Sequence, residues 1–88
     1  MKYQWDETKR SMNLRNHKID FQIVEGFEWE TAMIEADKRE QYLEDRFGAL
    51  GVIGNTLFFL VYTNRGDEVR VISLRKADSC EVKKYENQ

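Results

Sequence analysis

Eighty-eight residues, 41% of them hydrophobic and eleven of them aromatic, make one domain spanning 1–88; a chain this short buries roughly 60 to 65% of the surface it exposes when unfolded, which excludes a deep cofactor pocket and, at this apolar content, disorder. The net charge of −2 is unevenly spread, with +3 over residues 1–19, −7 over 20–45 and +2 over 46–88, so the whole chain is not the strongly basic surface of a free nucleic-acid binder. A single cysteine excludes an internal disulfide, and no apolar run reaches the length of a membrane span and no signal pattern follows Met1-Lys2, so a cytoplasmic protein with no membrane contact is expected.

Lys2 to Trp5 reads as a short first strand at a sheet edge. Asp6 then caps a helix through about His17, with Glu7 in the first turn, where the helix dipole favours a carboxylate. Lys9, Asn13 and His17 are four apart and share one polar face of that helix, most simply a solvated one. Asp20 starts a second short helix carrying Phe21 and Val24, and Gly26 ends it. Phe27 and Trp29 lie in a loop or at the start of a strand, and Thr31 to Ala36 continues as a strand. Asp37-Lys38-Arg39-Glu40 is a charged turn, Gln41 to Leu50 a further strand, and Gly51 with Gly54-Asn55 the next turn.

Leu57 to Thr63 is apolar on both parities, as in a central strand covered on both faces. Asn64 to Asp67 supplies turn residues between two β-favouring runs, with Gly66 available for a positive φ, and the return strand runs from Glu68 to Leu74. Asp78-Ser79-Cys80-Glu81 forms a capping box for a closing helix that carries Val82 and Tyr85. The sum is an α+β fold: a meander of three to four antiparallel strands with two N-terminal helices and one C-terminal helix.

The residues fit for chemistry are few. Arg65, Arg70 and Arg75 stand out because a guanidinium matches two phosphate oxygens and keeps its charge. On a straight strand Arg70 and Arg75 have opposite parity, so either a bulge intervenes or Arg75 lies past the strand end, and the second is expected. The plainer role for these arginines is a surface ion pair with Asp67, Glu68 or Glu81. Glu81 serves the capping box, and Tyr85 packs its helix on the sheet or offers a phenol to a base or phosphate. His17, the only histidine, suits a dipole contact at a helix end better than general-base work. Cys80 has no partner for nucleophilic chemistry, and neither a zinc-ligand spacing nor a phosphate-cradling glycine loop is present, so no metal and no cofactor is expected.

Thr63-x-Arg65-Gly66-Asp67, followed by Val69-Arg70-Val71-Ile72-Ser73-x-Arg75-Lys76-Ala77 and then Glu81 and Tyr85, resembles the closing motif of the BrnT family, ribonuclease toxins of bacterial toxin-antitoxin pairs. Trp5-Asp6-x-x-Lys9-x-x-x-Asn13-x-x-x-His17 with Phe21 resembles its opening signature, and Arg46-Phe47 with Gly51 its middle strand. The family pattern has a lysine before the histidine and a glycine after it, where this chain has Asn16 and Lys18. The resemblance implies a compact RelE-like toxin that cuts RNA without a metal, with Arg70, Arg75, Glu81 and Tyr85 catalytic and Lys9, Arg65 and Lys76 on the RNA. It also implies a partner antitoxin with a ribbon-helix-helix DNA-binding domain, through which alone operator DNA is contacted.

Two functions are therefore weighed. The first is an endoribonuclease toxin that lowers translation and is neutralised by its antitoxin. The second is a toxin-like module that has lost cleavage and serves as antitoxin-binding corepressor, for which the acidic stretch Glu25 to Asp45 offers a surface to a basic partner. A free-standing DNA-binding protein is not supported, since no basic recognition helix is present.

Overall fold

A computed structural model describes residues Met1–Gln88. Its five strands are β1 (Lys2–Gln4), β2 (Met33–Ala36), β3 (Phe47–Ile53), β4 (Thr56–Arg65) and β5 (Glu68–Lys76), joined in one sheet in the order β1-β5-β4-β3-β2. The last four form the expected antiparallel meander around β4. The sheet is nevertheless mixed and five-stranded, because β1 lies parallel to β5 with Gln4 opposite Arg70. Two-residue turns at Gly54-Asn55 and Gly66-Asp67 close the hairpins, each with its glycine at φ near +60°, where a Cβ would be strained.

The expected second N-terminal helix is instead a 3-10 turn of six residues, Phe21–Gly26, entered through Asp20, whose carboxylate accepts from Gln22 N. At three residues per turn Phe21 and Val24 eclipse one another, and both are fully buried. A second 3-10 turn, Trp29–Thr31, takes the start of the expected second strand. The strand expected from Gln41 begins only at Phe47. Residues 37–46 form a loop whose ends are tied by Asp37 N donating to Arg46 O at 2.8 Å, and Thr63 Oγ1 fastens it by donating to Asp45 O at 2.6 Å. Gly51, expected in a turn, sits inside β3. A Cβ there would lie 2.3 Å from the ring of Phe27, so this glycine makes room for a core aromatic.

Register decides the two faces of β5. Val61 pairs with Ser73 and Tyr62 with Val71, so Ile72 is an extra residue on β5. Val69, Val71 and Leu74 consequently all enter the core, with Phe58, Leu60 and Tyr62 of β4 and with Phe21, Val24 and Phe27. Arg70 and Arg75 both turn to the opposite face. Arg75 thus lies within the strand, contrary to the expectation that it sits past the strand end, and the bulge cancels the parity difference.

The helix α1 (Glu7–His17) begins at Asp6, whose side chain accepts from Thr8 N at 2.7 Å. Its shared polar face is no solvated stripe: Lys9 and His17 are exposed, but Asn13 between them is 6% exposed and is the one buried residue of the helix. β1 accompanies β5 only as far as Arg70, which leaves the outer backbone edge of β5 open beyond it. The Asn13 amide closes that edge as another peptide unit would. Its Nδ2 donates to Leu74 O at 2.7 Å and to Ile19 O at 2.9 Å, and its Oδ1 accepts from Leu74 N at 3.1 Å. The bidentate pair Arg10–Asp20, both contacts 2.8 Å, ties the helix to the next turn.

The last helix, α2 (Ser79–Glu86), has the full capping box. Asp78 accepts from Glu81 N at 2.8 Å and Glu81 accepts from Asp78 N at 2.9 Å.

Two outcomes follow from α1. Asn13→Ala leaves both Leu74 backbone groups buried without partners and should cost about 2 kcal/mol in urea unfolding. Lys18, at the helix C-cap with φ 61°, stands where the resembled pattern has glycine. Lys18→Gly should therefore raise stability by about 0.5–1 kcal/mol, measured the same way.

Candidate functional site

The core occupies one face of the sheet, and the other carries Arg70, Arg75 and a groove. There the register aligns Arg75, Phe59, Leu50 and Met33 in a row across β5, β4, β3 and β2. This row floors a groove of about 330 Å³, walled by α2 on one side and by residues 36–39 on the other. The Arg75 guanidinium carbon lies 4.8 Å from the Phe59 ring centroid, within cation–π range.

Ion pairs rim the groove. Arg75 binds Glu81 through both nitrogens, Nη1 to Oε1 at 2.8 Å and Nη2 to Oε2 at 2.9 Å. Arg39 binds Asp37 through Nε to Oδ1 at 2.8 Å and Nη2 to Oδ2 at 2.7 Å, and Lys84 Nζ meets Glu35 Oε1 at 2.8 Å. Of the cations lining the groove, only Lys38 has no carboxylate partner. The Arg75 guanidinium holds the Glu81 carboxyl below its ordinary range, and the carboxylate in turn raises Arg75. Arg39 brings Asp37 from 3.8 down to about 2. Both carboxylates are therefore charged at neutral pH.

Arg70 lies on the same face but in a different setting. Its pairing partner on β4 is Thr63, four residues from the Phe59 level of Arg75, or about 13 Å along the strand. Its Nη1 donates to Gln4 Oε1 at 2.8 Å, and Gln4 Nε2 donates to Glu68 Oε1 at 3.3 Å. A neutral amide orients Arg70, which holds no carboxylate directly, whereas Arg75 is paired with one. Gln4 had no signal in the sequence, because a three-residue edge strand reveals neither its partner nor its register.

The remaining candidates separate. Arg65, near the hairpin tip, contacts Glu44 at 3.2 Å, and Lys76 is exposed at the end of β5. Lys9 is exposed on α1 and makes no hydrogen bond or ion pair with the others. The Tyr85 hydroxyl donates to Thr31 O at 3.1 Å, which anchors α2 over the groove. Glu81 Oε1 serves the helix cap and Arg75 at once. Phe59 and Arg39, which shape the groove, were not singled out in the sequence. The alternating parity of Leu57 to Thr63 put Phe59 on the face away from Phe58, but which face carries the site is a tertiary matter. No group of three or more His, Cys, Asp or Glu is gathered as metal ligands, and no helix is long and apolar enough to cross a membrane.

The family model described as "Ribonuclease toxin, BrnT, of type II toxin-antitoxin system" matches residues 5–81. No curated protein matches the chain. The matched span takes in Arg70, Arg75 and Glu81, and ends before Tyr85.

The ion pairs set a pH dependence. A carboxyl whose folded pKa lies below its unfolded value stabilises the fold above the unfolded value, and that contribution disappears as pH falls through the folded one. For Asp37 the window runs from 3.8 down to about 2. Wild type should lose stability through this window in acid titrations followed by circular dichroism. Asp37→Asn should start less stable at neutral pH, show a flatter curve and converge on wild type near the acid end.

Proposed function

From the membership of this chain in the BrnT family, ribonuclease toxins of type II toxin-antitoxin systems, we propose that it is a metal-independent endoribonuclease that acts in the cytoplasm, lowers translation by cutting RNA, and is silenced by an antitoxin bearing a ribbon-helix-helix DNA-binding domain. Operator DNA is contacted through that antitoxin alone. A protein antitoxin and an RNA substrate come with the family itself. The observation that carries the catalytic proposal is the bulge at Ile72, which turns Arg70 and Arg75 to one open face of the sheet.

In the cleavage step the ribose 2′-oxygen bonds to the adjacent phosphorus as the bond from phosphorus to the 5′-oxygen breaks, and negative charge gathers on the phosphoryl oxygens. Arg70, whose partner Gln4 is neutral, meets that charge without first losing a carboxylate. Arg75 joins it, and Glu81 acts as the residue that positions Arg75. Tyr85 reaches the RNA only by giving up its bond to Thr31 O. Arg65, Lys76 and Lys9 extend the contact along the RNA backbone. The antitoxin meets the acidic stretch, where Glu25, Glu28, Glu30, Glu40 and Asp45 are all exposed, through a basic surface of its own.

A second reading, the cleavage-incompetent corepressor, draws support from the carboxylate on each of Arg75, Arg39 and Lys84. Induced expression separates the two. The wild type should arrest growth and leave new RNA ends in primer extension. At matched protein levels, Arg70→Ala and Arg75→Ala should each relieve the arrest and lower cleavage by about 10²- to 10³-fold, the usual cost of removing one group that stabilises transition-state charge. Equal growth and intact RNA in all three would leave the corepressor.

A further inference from the structure

We propose that the groove over Phe59 is a nucleobase subsite that takes guanine and reads it with Glu35; this rests on RNA as the substrate. Met33, Leu50 and Phe59 give the groove an apolar floor, and the volume of about 330 Å³ falls at the small end of ligand clefts, about 300–1,000 Å³. Phosphate suits the groove poorly. Inside it Arg39 and Lys84 each already hold a carboxylate, and a phosphate seated there would have to break those pairs. A flat uncharged base need break none, and it gains an apolar surface beside an arginine that lies over a ring.

The choice of Glu35 follows by elimination among the three carboxylates on the rim. Both oxygens of Glu81 are taken by Arg75, and both oxygens of Asp37 by Arg39, with Tyr42 OH also donating to Asp37 at 3.3 Å. Glu35 is bonded through Oε1 alone, to Lys84, and its side chain is 60% exposed. Its Oε2 has no partner, and Oε1 keeps a lone pair free. A carboxylate with two accepting oxygens matches two adjacent donors. Among the four RNA bases only guanine presents such a pair, N1–H beside the exocyclic amino group. Glu35 shares its face with Met33, two residues earlier on β2, so a base read by Glu35 lies over the apolar floor. Arg75 borders the same groove, so the phosphate next to the bound guanosine is within its reach.

The test uses nucleosides, which carry no phosphate. Guanosine, adenosine, cytidine and uridine are titrated into the free, methyl-labelled protein, and the Met33 and Leu50 methyl resonances are followed. Guanosine should move both, with at least about tenfold higher affinity than the other three, and Glu35→Ala should remove that preference while the rest of the spectrum is unchanged. Failure of all four nucleosides to move these methyls would overturn the proposal, as would equal shifts with all four that survive Glu35→Ala. The subsite and the ribonuclease reading fail separately: guanosine binding in a protein that cuts no RNA removes only the second, and RNA cleavage without guanosine binding removes only the first.

Discussion

One extra residue in β5 governs both faces of the sheet. With Ile72 bulged, Leu74 points into the core beside Leu60, and Arg75 points out beside Phe59. Without the bulge, side chains beyond Val71 would swap faces, burying a guanidinium and exposing a leucine, a far costlier arrangement than one disrupted ladder position. The bulge also turns the Leu74 backbone groups toward the sheet edge, where Asn13 meets them. The docking of α1 and the position of Arg75 therefore share one cause.

That coupling explains how so polar a helix is held. α1 buries a single residue, an asparagine, and leaves Met12 and Leu14 half exposed. Its attachment comes from hydrogen bonds that a buried strand edge would otherwise leave unmade, and such groups cost more when orphaned than they return when paired. The apolar contribution lies elsewhere, in the 3-10 turn with Phe21 and Val24 and in the aromatic run Phe27, Trp29, Tyr62 and Phe47. The core stays on one side of the sheet, and the other is free to carry charge.

On that open face the two arginines differ by their partners. Arg75 is bound to a carboxylate that also caps α2, so its orientation and the start of the helix are one structure. Arg70 is held by the amide of Gln4, a neutral partner that fixes its geometry without a direct ion pair. A modest net charge of −2 is compatible with an anionic substrate on these terms. What counts is which cations hold no carboxylate of their own and so can take a phosphate without first breaking an ion pair.

Where the governing interactions are local, the chain alone was informative. The N-cap at Asp6, the capping box at Asp78 and Glu81 and the turns at Gly54 and Gly66 all depend on residues within a few positions of one another, and each appears as read. The motifs from Trp5 to Glu81 carried the family in the same way. Tertiary structure alone decided the bulge, the parallel edge strand, the short extent of β3 and the inward turn of Asn13. Gln4 with Arg70 and Asn13 with Leu74 are separated by 66 and 61 residues. Periodicity shows which residues share a side of an element, but the side that faces the core, and the edge left open for an amide to close, are set by packing between elements far apart in the chain.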